Sequence, residues 1–380
     1  MVKNNKKIKV AVALSGGIDS AMAAFLLKKK YEVVAVTMRH GCFAQTAVEK
    51  AGAIAEKMKI KHYIFDLEKE FKKEIIEPFC QEYLKGQTPN PCVWCNEKIK
   101  FGILLKKAEE LGADYLATGH YARLRLRQKI SKSKSQNPNL KIVYQLLKAK
   151  DKTRDQSYFL SRLNQDQLSK IIFPLGKLKK KKIIKIAQKN NLGLENQKES
   201  REICFIPANN YAKFLKNNFP QSFFSGPIKD IKGNILGTHQ GLPFYTIGQR
   251  KGLIKGQLNP VYVVKIDIQN NILIVGEEKD LYSKNLIAGK IHWINKEAEN
   301  IFRIKGKIKV KAKIRFGHSP APAKIYFSTQ DSLKQENNQE KIKVEFKKPQ
   351  RAITPGQWAV FYSGRFSREV IASALILNRE

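Results

Sequence analysis

Two sets of residues along this 380-residue chain have types and spacings that could do chemistry. The first is the loop Ser15-Gly16-Gly17-Ile18-Asp19-Ser20. Adjacent glycines let the backbone turn tightly and bring its N–H groups close to a ligand. The apolar run Val10–Leu14 before the loop reads as a buried strand, and the alanine-rich segment Ala21–Leu27 after it reads as a helix. Free N–H groups and the positive end of the helix dipole then meet at the turn, which favours an anion. Ser15 and Ser20 add hydroxyls, and Asp19 suits a helix cap or a magnesium ligand. The spacing is neither G-x-x-x-x-G-K-[ST] nor G-x-G-x-x-G.

The second set is sulfur. Cys92 and Cys95 stand three apart in Asn90-Pro91-Cys92-Val93-Trp94-Cys95-Asn96, and Cys204 lies in Ser200–Ile206. Alone, C-x-x-C suggests half a zinc site or a redox pair, and the sequence offers no second C-x-x-C or H-x-x-x-H to complete a zinc site. Thiolates attack, and a cationic or helix-terminal setting lowers a thiol's pKa. A helix expected from about Glu97 and the nearby Arg201 are the candidates for such a setting. Cys80, beside Phe79, reads as a packing residue. Cys42 lies near the expected nucleotide site, and His40 carries no assigned role.

The elements that position these residues alternate. Strands are expected at Tyr31–Met38, His62–Leu67 and Asp114–Tyr121, with helices over about Ala44–Met58, Lys69–Leu84, Glu97–Leu111 and between Gln156 and Asn190. That alternation predicts a doubly wound parallel sheet, an α/β fold whose ligands bind at the C-terminal ends of its strands. Met38 and Gly119 stand at such ends and are expected to flank an adenosine. Lys129–Asn139 reads as a polar excursion. From about Ala208 the texture becomes β-rich, with hairpin turns at Gly233-Asn234 and Asn270-Asn271. Alternating segments from Ala288 onward predict a small barrel. The expected domains are 1–207, 208–287 and 288–380.

Lys plus Arg number 71 against 33 Asp plus Glu, a net charge of +38. Such a surplus favours a polyanionic partner, with the choice among RNA, DNA and a membrane surface left open. No stretch of eighteen apolar residues predicts a membrane span. Five irregularly spaced cysteines suit a reducing compartment, so the expected location is cytoplasmic.

The loop resembles the SGG-x-D-S loop of the ATP-pyrophosphatase superfamily, which grips the pyrophosphate end of ATP and attaches AMP to a substrate oxygen. With the segments Thr88–Asn96, Phe101-Gly102, Ala117–Arg123, Asp155–Leu160, Phe173–Gly176, Cys204–Pro207, Tyr245–Leu253 and Thr354–Gln357, the whole chain resembles the tRNA-specific 2-thiouridylases. The resemblance implies ATP with Mg2+ at Ala13, Leu14, Ser15, Gly16, Gly17, Ile18, Asp19, Ser20, Met38 and Gly119. It implies adenylation of the C2 oxygen of the wobble uridine in tRNAs for Lys, Glu and Gln. Cys204 would carry a persulfide, loaded by a sulfur-relay protein or a cysteine desulfurase, and Cys95 would be its partner, leaving a Cys95–Cys204 disulfide. Asn90, Pro91 and Cys92 would contact the everted base. His120, Arg154, Asp155, Gln156, Arg315, Phe316 and Gln357 would contact tRNA, and Arg250 and Lys251 would meet phosphate.

One position departs from many members of that family, which carry Asp where this chain has Cys92. The Asp is assigned acid/base work there, and a thiol titrating near ~8.5 does not replace a carboxyl near ~4. The substitution also puts Cys92, Cys95 and Cys204 in one expected site, where an iron–sulfur cluster is an alternative sulfur source. Two further alternatives are another adenylating tRNA-modifying enzyme and a basic RNA-binding module.

Overall fold

The computed structural model describes residues 7–40, 44–130, 140–190, 192, 203–206, 210–219, 223–254, 259–328, 340–363 and 368–380. The chain divides into two compact units. One comprises Met1–Ile75, Cys92–Phe205 and Arg368–Val370; the other comprises Ile76–Pro91, Ile206–Ser367 and Ile371–Glu380.

In the first unit the apolar run before the glycine loop forms β1 (Lys9–Ala13) and the alanine-rich run forms α1 (Ile18–Lys28). Then come β2 (Glu32–Arg39), α2 (Ala44–Lys57), β3 (His62–Asp66) and α3 (Glu68–Phe71). A π-helical turn, Lys72–Ile76, leads into α4 (Glu77–Leu84) of the second unit. A continuous helical run follows: α5 (Pro91–Trp94), a π-helix over Cys95–Ile103, and α6 (Leu104–Glu110). The remaining elements are β4 (Tyr115–Ala117), a hairpin of β5 (Ala122–Ile130) and β6 (Leu140–Lys148), a 3₁₀ turn at Ser157–Leu160, α7 (Gln165–Ser169), β7 (Ile171–Ile172) and α8 (Lys180–Lys189).

Strands β3-β2-β1-β4-β7 form one sheet in that order, all parallel. This is the expected α/β fold. Val10, Val12, Ala21, Met22, Ala24, Ile54, Ala117 and Ile183 share its core, so α1, α2 and α8 close over it.

Three expectations need correction. The helix after the cysteine pair begins at Pro91, not near Glu97, because proline with its preset φ opens a first turn well. The strand expected over Asp114–Tyr121 stops at Ala117, and Thr118–Tyr121 becomes loop. The hairpin β5–β6 was not expected as a pair; Lys129 and Ile130 belong to β5, and 131–139 lie outside the described residues.

The second unit holds α9 (Tyr211–Asn218), β8 (Gly226–Lys229), β9 (Ile235–His239), β10 (Tyr262–Asp267) and β11 (Ile272–Gly276). They make a four-stranded sheet, β10-β11-β8-β9. Both expected hairpin turns are present, with Gly233 at φ 95° and Asn271 at φ 53°. Next come β12 (Tyr282–Trp293), α10 (Lys296–Lys305), β13 (Lys307–Lys313), β14 (Ala321–Phe327), β15 (Ile342–Arg351), β16 (Trp358–Ser363) and β17 (Glu369–Arg379). The order β12-β15-β14-β13-β16-β17 returns to β12, closing a six-stranded barrel. Closure leaves no unpaired sheet edge among these strands. Phe302, Phe346, Phe361, Ile371 and Ile376 fill the core.

Candidate nucleotide and sulfur site

The glycine loop runs from β1 into α1 and is shaped by its own serines. Ser20 Oγ donates to Gly17 O at 2.9 Å and accepts from Ser15 N at 3.2 Å. Gly16 sits at φ 78°, and a Cβ there would lie 2.7 Å from Lys50 Cβ. Leu14 is pinned to β2, donating to Val36 O while its own carbonyl accepts from Thr37 Oγ1. Met38 lies near the C-terminal end of β2, the strand beside β1.

Asp19 does not cap α1, whose N-cap is Gly17 with no side-chain bond. Its Oδ1 instead accepts from Tyr121 Oη at 2.8 Å and from Lys180 Nζ at 2.7 Å. Lys180 is held at both ends, since its backbone N–H donates to Asp151 Oδ2 at 3.0 Å. Gly119 closes against the same loop. A Cβ on it would lie 2.7 Å from Asp19 C and from Ser20 N, so only glycine fits there.

The sulfur set is built on the helical run from Pro91. Cys92 is half-buried, Cys95 is buried and Cys204 is exposed, and all three thiols are free. Asn96 Nδ2 donates to Cys92 O at 2.9 Å and Phe159 O at 3.3 Å, while its Oδ1 is buried without a partner. The π register continues to Leu104, whose N–H donates to Ile99 O. Such π segments are rare and recur at functional sites. Next to Cys204, Phe205 is buried edge-on to Phe71 (centroids 5.7 Å), and Phe71 stacks on His40 at 4.1 Å.

One charge acts on this whole set. Burial pushes the Cys95 thiol up to about 12 and the Cys92 thiol up to about 11, with Lys100 pulling both down. Although the residue as a whole is exposed, desolvation by the surrounding protein also raises Cys204, again opposed by Lys100. Cys204 in turn raises both Cys92 and Cys95. Burial lowers His40 to about 4 and His120 well below its ordinary value, with Lys100 lowering both further. None of the three thiols is lowered below its ordinary value; desolvation outweighs the cation.

The tripeptide Gly119-His120-Tyr121 joins the two sets. Gly119 and Tyr121 meet the glycine loop, while the His120 ring packs 5.9 Å from Phe101 on the π-helix that begins at Cys95. His120 Nδ1 is 2.8 Å from Thr118 Oγ1.

Comparison with known proteins identifies the family. Family models match residues 8–208 as a tRNA methyl transferase HUP domain, 212–277 as a tRNA methyl transferase PRC-barrel domain and 283–376 as an aminomethyltransferase β-barrel domain. The chain is 44% identical over 370 residues to the tRNA-specific 2-thiouridylase MnmA of Halothermothrix orenii, covering 94% of this chain and 96% of that protein. It is 43% identical over 360 residues to the Syntrophomonas wolfei protein of that name, covering 94% and 98%. The chain belongs to the tRNA-specific 2-thiouridylase family.

The remaining residues singled out from the 2-thiouridylase resemblance fall as follows. Asp155 Oδ1 accepts from Ala149 N, and its Oδ2 from Ser157 Oγ. Gln156 grips Tyr121 twice, through Tyr121 N to its Oε1 at 2.8 Å and its own N–H to Tyr121 O at 2.9 Å. Arg154 precedes them in the same loop. In the second unit, Gln357 Nε2 donates to Thr88 O at 2.7 Å, two residues before Asn90, whose Oδ1 is buried without a partner. Arg315 Nη1 donates to Arg351 O at 3.0 Å, and Phe316 is 42% exposed. Cys42, Arg201 and Pro207 lie outside the described residues. Among the described residues, no group of three His, Cys, Asp or Glu side chains is placed to hold a metal ion.

Sequence reasoning missed Lys100, Tyr121 and Lys180. Lys180 is one of five lysines in Lys177–Lys182, and nothing in that run marks it. Lys100 stands five residues after Cys95, a spacing that carries meaning only once the helix is known to be π-helical.

Proposed function

We propose that this chain thiolates tRNA at C2 of the wobble uridine in tRNAs for Lys, Glu and Gln, using ATP. The observation that carries the proposal is the junction at Gly119-His120-Tyr121, which ties the glycine loop to the π-helix that begins at Cys95. In this reading 1–207 serves catalysis, 208–287 is a central module and 288–380 is a tRNA-contacting barrel.

The C2 oxygen attacks the α-phosphorus of ATP and pyrophosphate leaves, which turns a poor leaving group into AMP. Ser15–Ser20 bind the phosphates with backbone N–H groups and the end of the α1 dipole. Asp19, whose Oδ1 is held by Tyr121 and Lys180, would offer its other carboxylate oxygen to the Mg2+ that accompanies ATP, which would neutralise phosphate charge there. A donor of the sulfur-relay or cysteine-desulfurase class leaves a persulfide on Cys204. The Cys95 thiolate attacks the Cys204 sulfur; a Cys95–Cys204 disulfide forms and hydrosulfide leaves. Hydrosulfide adds at the activated C2, AMP departs, and one proton is released. The two cysteines lose the two electrons that the sulfane sulfur gains, so a dithiol reductant must restore them.

Asn90, Pro91 and Cys92 contact the base, and His120, Arg154, Asp155, Gln156, Arg315, Phe316 and Gln357 contact tRNA in this reading. A cytoplasmic location accords with a tRNA substrate; among the described residues no helix is long and apolar enough to cross a membrane.

The test is Cys204→Ser assayed with ATP, tRNA and a persulfide donor. It should keep tRNA-dependent ATP–pyrophosphate exchange and form no thiolated product. Normal product from Cys204→Ser would overturn the persulfide step, and iron and sulfide in anaerobically purified protein would favour the cluster instead.

A further inference from the structure

We propose that Lys100 is the counter-charge for the anionic sulfur formed among Cys92, Cys95 and Cys204. The π-helix Cys95–Ile103 pairs each residue with the one five back, so Lys100 stands one such step from Cys95. Its neighbours on that helix have partners of their own: Glu97 lies 2.7 Å from Arg162 and Lys98 lies 2.7 Å from Glu74. Lys100 is half-buried, and among the described residues no carboxylate pairs with it.

Ring contacts gather four segments near this charge: Phe101, next to Lys100 on the helical run, packs 5.9 Å from His120 of the β4–β5 loop, and Phe205, next to Cys204, packs 5.7 Å from Phe71, which stacks on His40 at the end of β2. The charge of Lys100 acts on the three thiols and two imidazoles of these segments. Both imidazoles are neutral at neutral pH, so neither supplies positive charge. A half-buried cation without an anion is costly, and the neutral thiols do not provide one. The anion arrives with the reaction, as Cys95 thiolate and then as hydrosulfide. A fixed positive charge already in place stabilises that developing charge without reorganising. The inference deepens the proposed function and takes the nature of the sulfur chemistry from it, but the proximity of charge and thiols can be tested separately.

The experiment compares full-length wild type with Lys100→Met, Lys100→Gln and Lys100→Arg. The first readout needs no enzyme activity: the rate at which Cys204 reacts with iodoacetate, an anion, relative to iodoacetamide, which is neutral, at low salt with the modified peptide quantified by mass spectrometry. The ratio should fall about 5-fold in the Met and Gln variants and be retained in Arg, the difference shrinking in 0.5 M salt to about one Debye length's reach. The second readout is single-turnover thiolation beside tRNA-dependent ATP–pyrophosphate exchange. Thiolation should fall about 10–100-fold in Met and Gln and recover in Arg, with exchange unchanged. An unaltered reagent ratio in a folded Gln variant overturns the role of Lys100. A wild type that yields no thiolated product refutes the proposed function, while the reagent ratio still decides the assignment of Lys100.

Discussion

Lys180 Nζ lies 2.7 Å from Asp19 Oδ1, joining helix α8 to the glycine loop across 161 residues of chain. The lysine side chain is 10% exposed and the aspartate 31%. Removing the carboxylate takes away a charge that a buried cation depends on, which costs more than the pair itself contributes. Asp19→Ala should lower stability by roughly 1–3 kcal/mol, discounted for the partial exposure of Asp19. Urea denaturation measures this, and an unshifted midpoint would show that the pair does not fasten α8 to the loop.

Gly119 admits no side chain, because the atoms facing it are the backbone of Asp19 and Ser20. Gly119→Ala should displace the loop and weaken ATP binding by more than about 10-fold, since a misplacement of about 1 Å is enough for such losses. Equilibrium titration with ATP reads this directly; unchanged affinity in a folded variant would contradict the packing of Gly119 on the loop.

Acid should destabilise the first unit through its imidazoles. His40 is held neutral by burial, from 6.5 down to about 4, and His120 shifts in the same direction. A lowered folded value means that the unfolded chain binds the proton first. The stability is complete above pH 6.5 and is lost as pH falls towards 4, by on the order of 3 kcal/mol for His40 alone. Denaturation midpoints at pH 7 and pH 4.5 should differ less in His40→Phe than in wild type, and equal differences would remove His40 as a source.

Alkali should act through the buried thiols with the opposite sign. Cys92 and Cys95 titrate higher folded, at about 11 and about 12, than the ordinary 9.0. The unfolded chain therefore loses protons first, and stability falls as pH rises above 9. Cys204, exposed, should react with iodoacetamide at pH 8 before Cys95, which is 7% exposed, and before Cys80, fully buried. Peptide mapping over time checks the order, and faster labelling of Cys95 would contradict the burial given for it.

Much of this was legible in the sequence, for local reasons. Buried strands of a parallel sheet read as unbroken apolar runs, so Val10–Leu14 and Tyr31–Met38 announced β1 and β2. Gly233 and Asn271 marked their hairpins because each takes positive φ. The π-helix was not legible, since no periodicity separates it from the α-helical turns around it. Nor were the partners of Asp19, because Tyr121 and Lys180 come from distant segments and only the folded sheet brings them to one carboxylate. The sign of the thiol shifts was also hidden: sequence shows a nearby charge but not the burial that outweighs it.

The central claim is that ATP activation and sulfur delivery meet on one uridine. Nucleoside mass spectrometry of unmodified tRNA incubated with the protein, ATP and a persulfide donor tests it most directly. The account predicts 2-thiouridine at the wobble position, dependent on ATP and absent with Cys204→Ser or Cys95→Ser. Product formed without ATP, or undiminished in both variants, would contradict it.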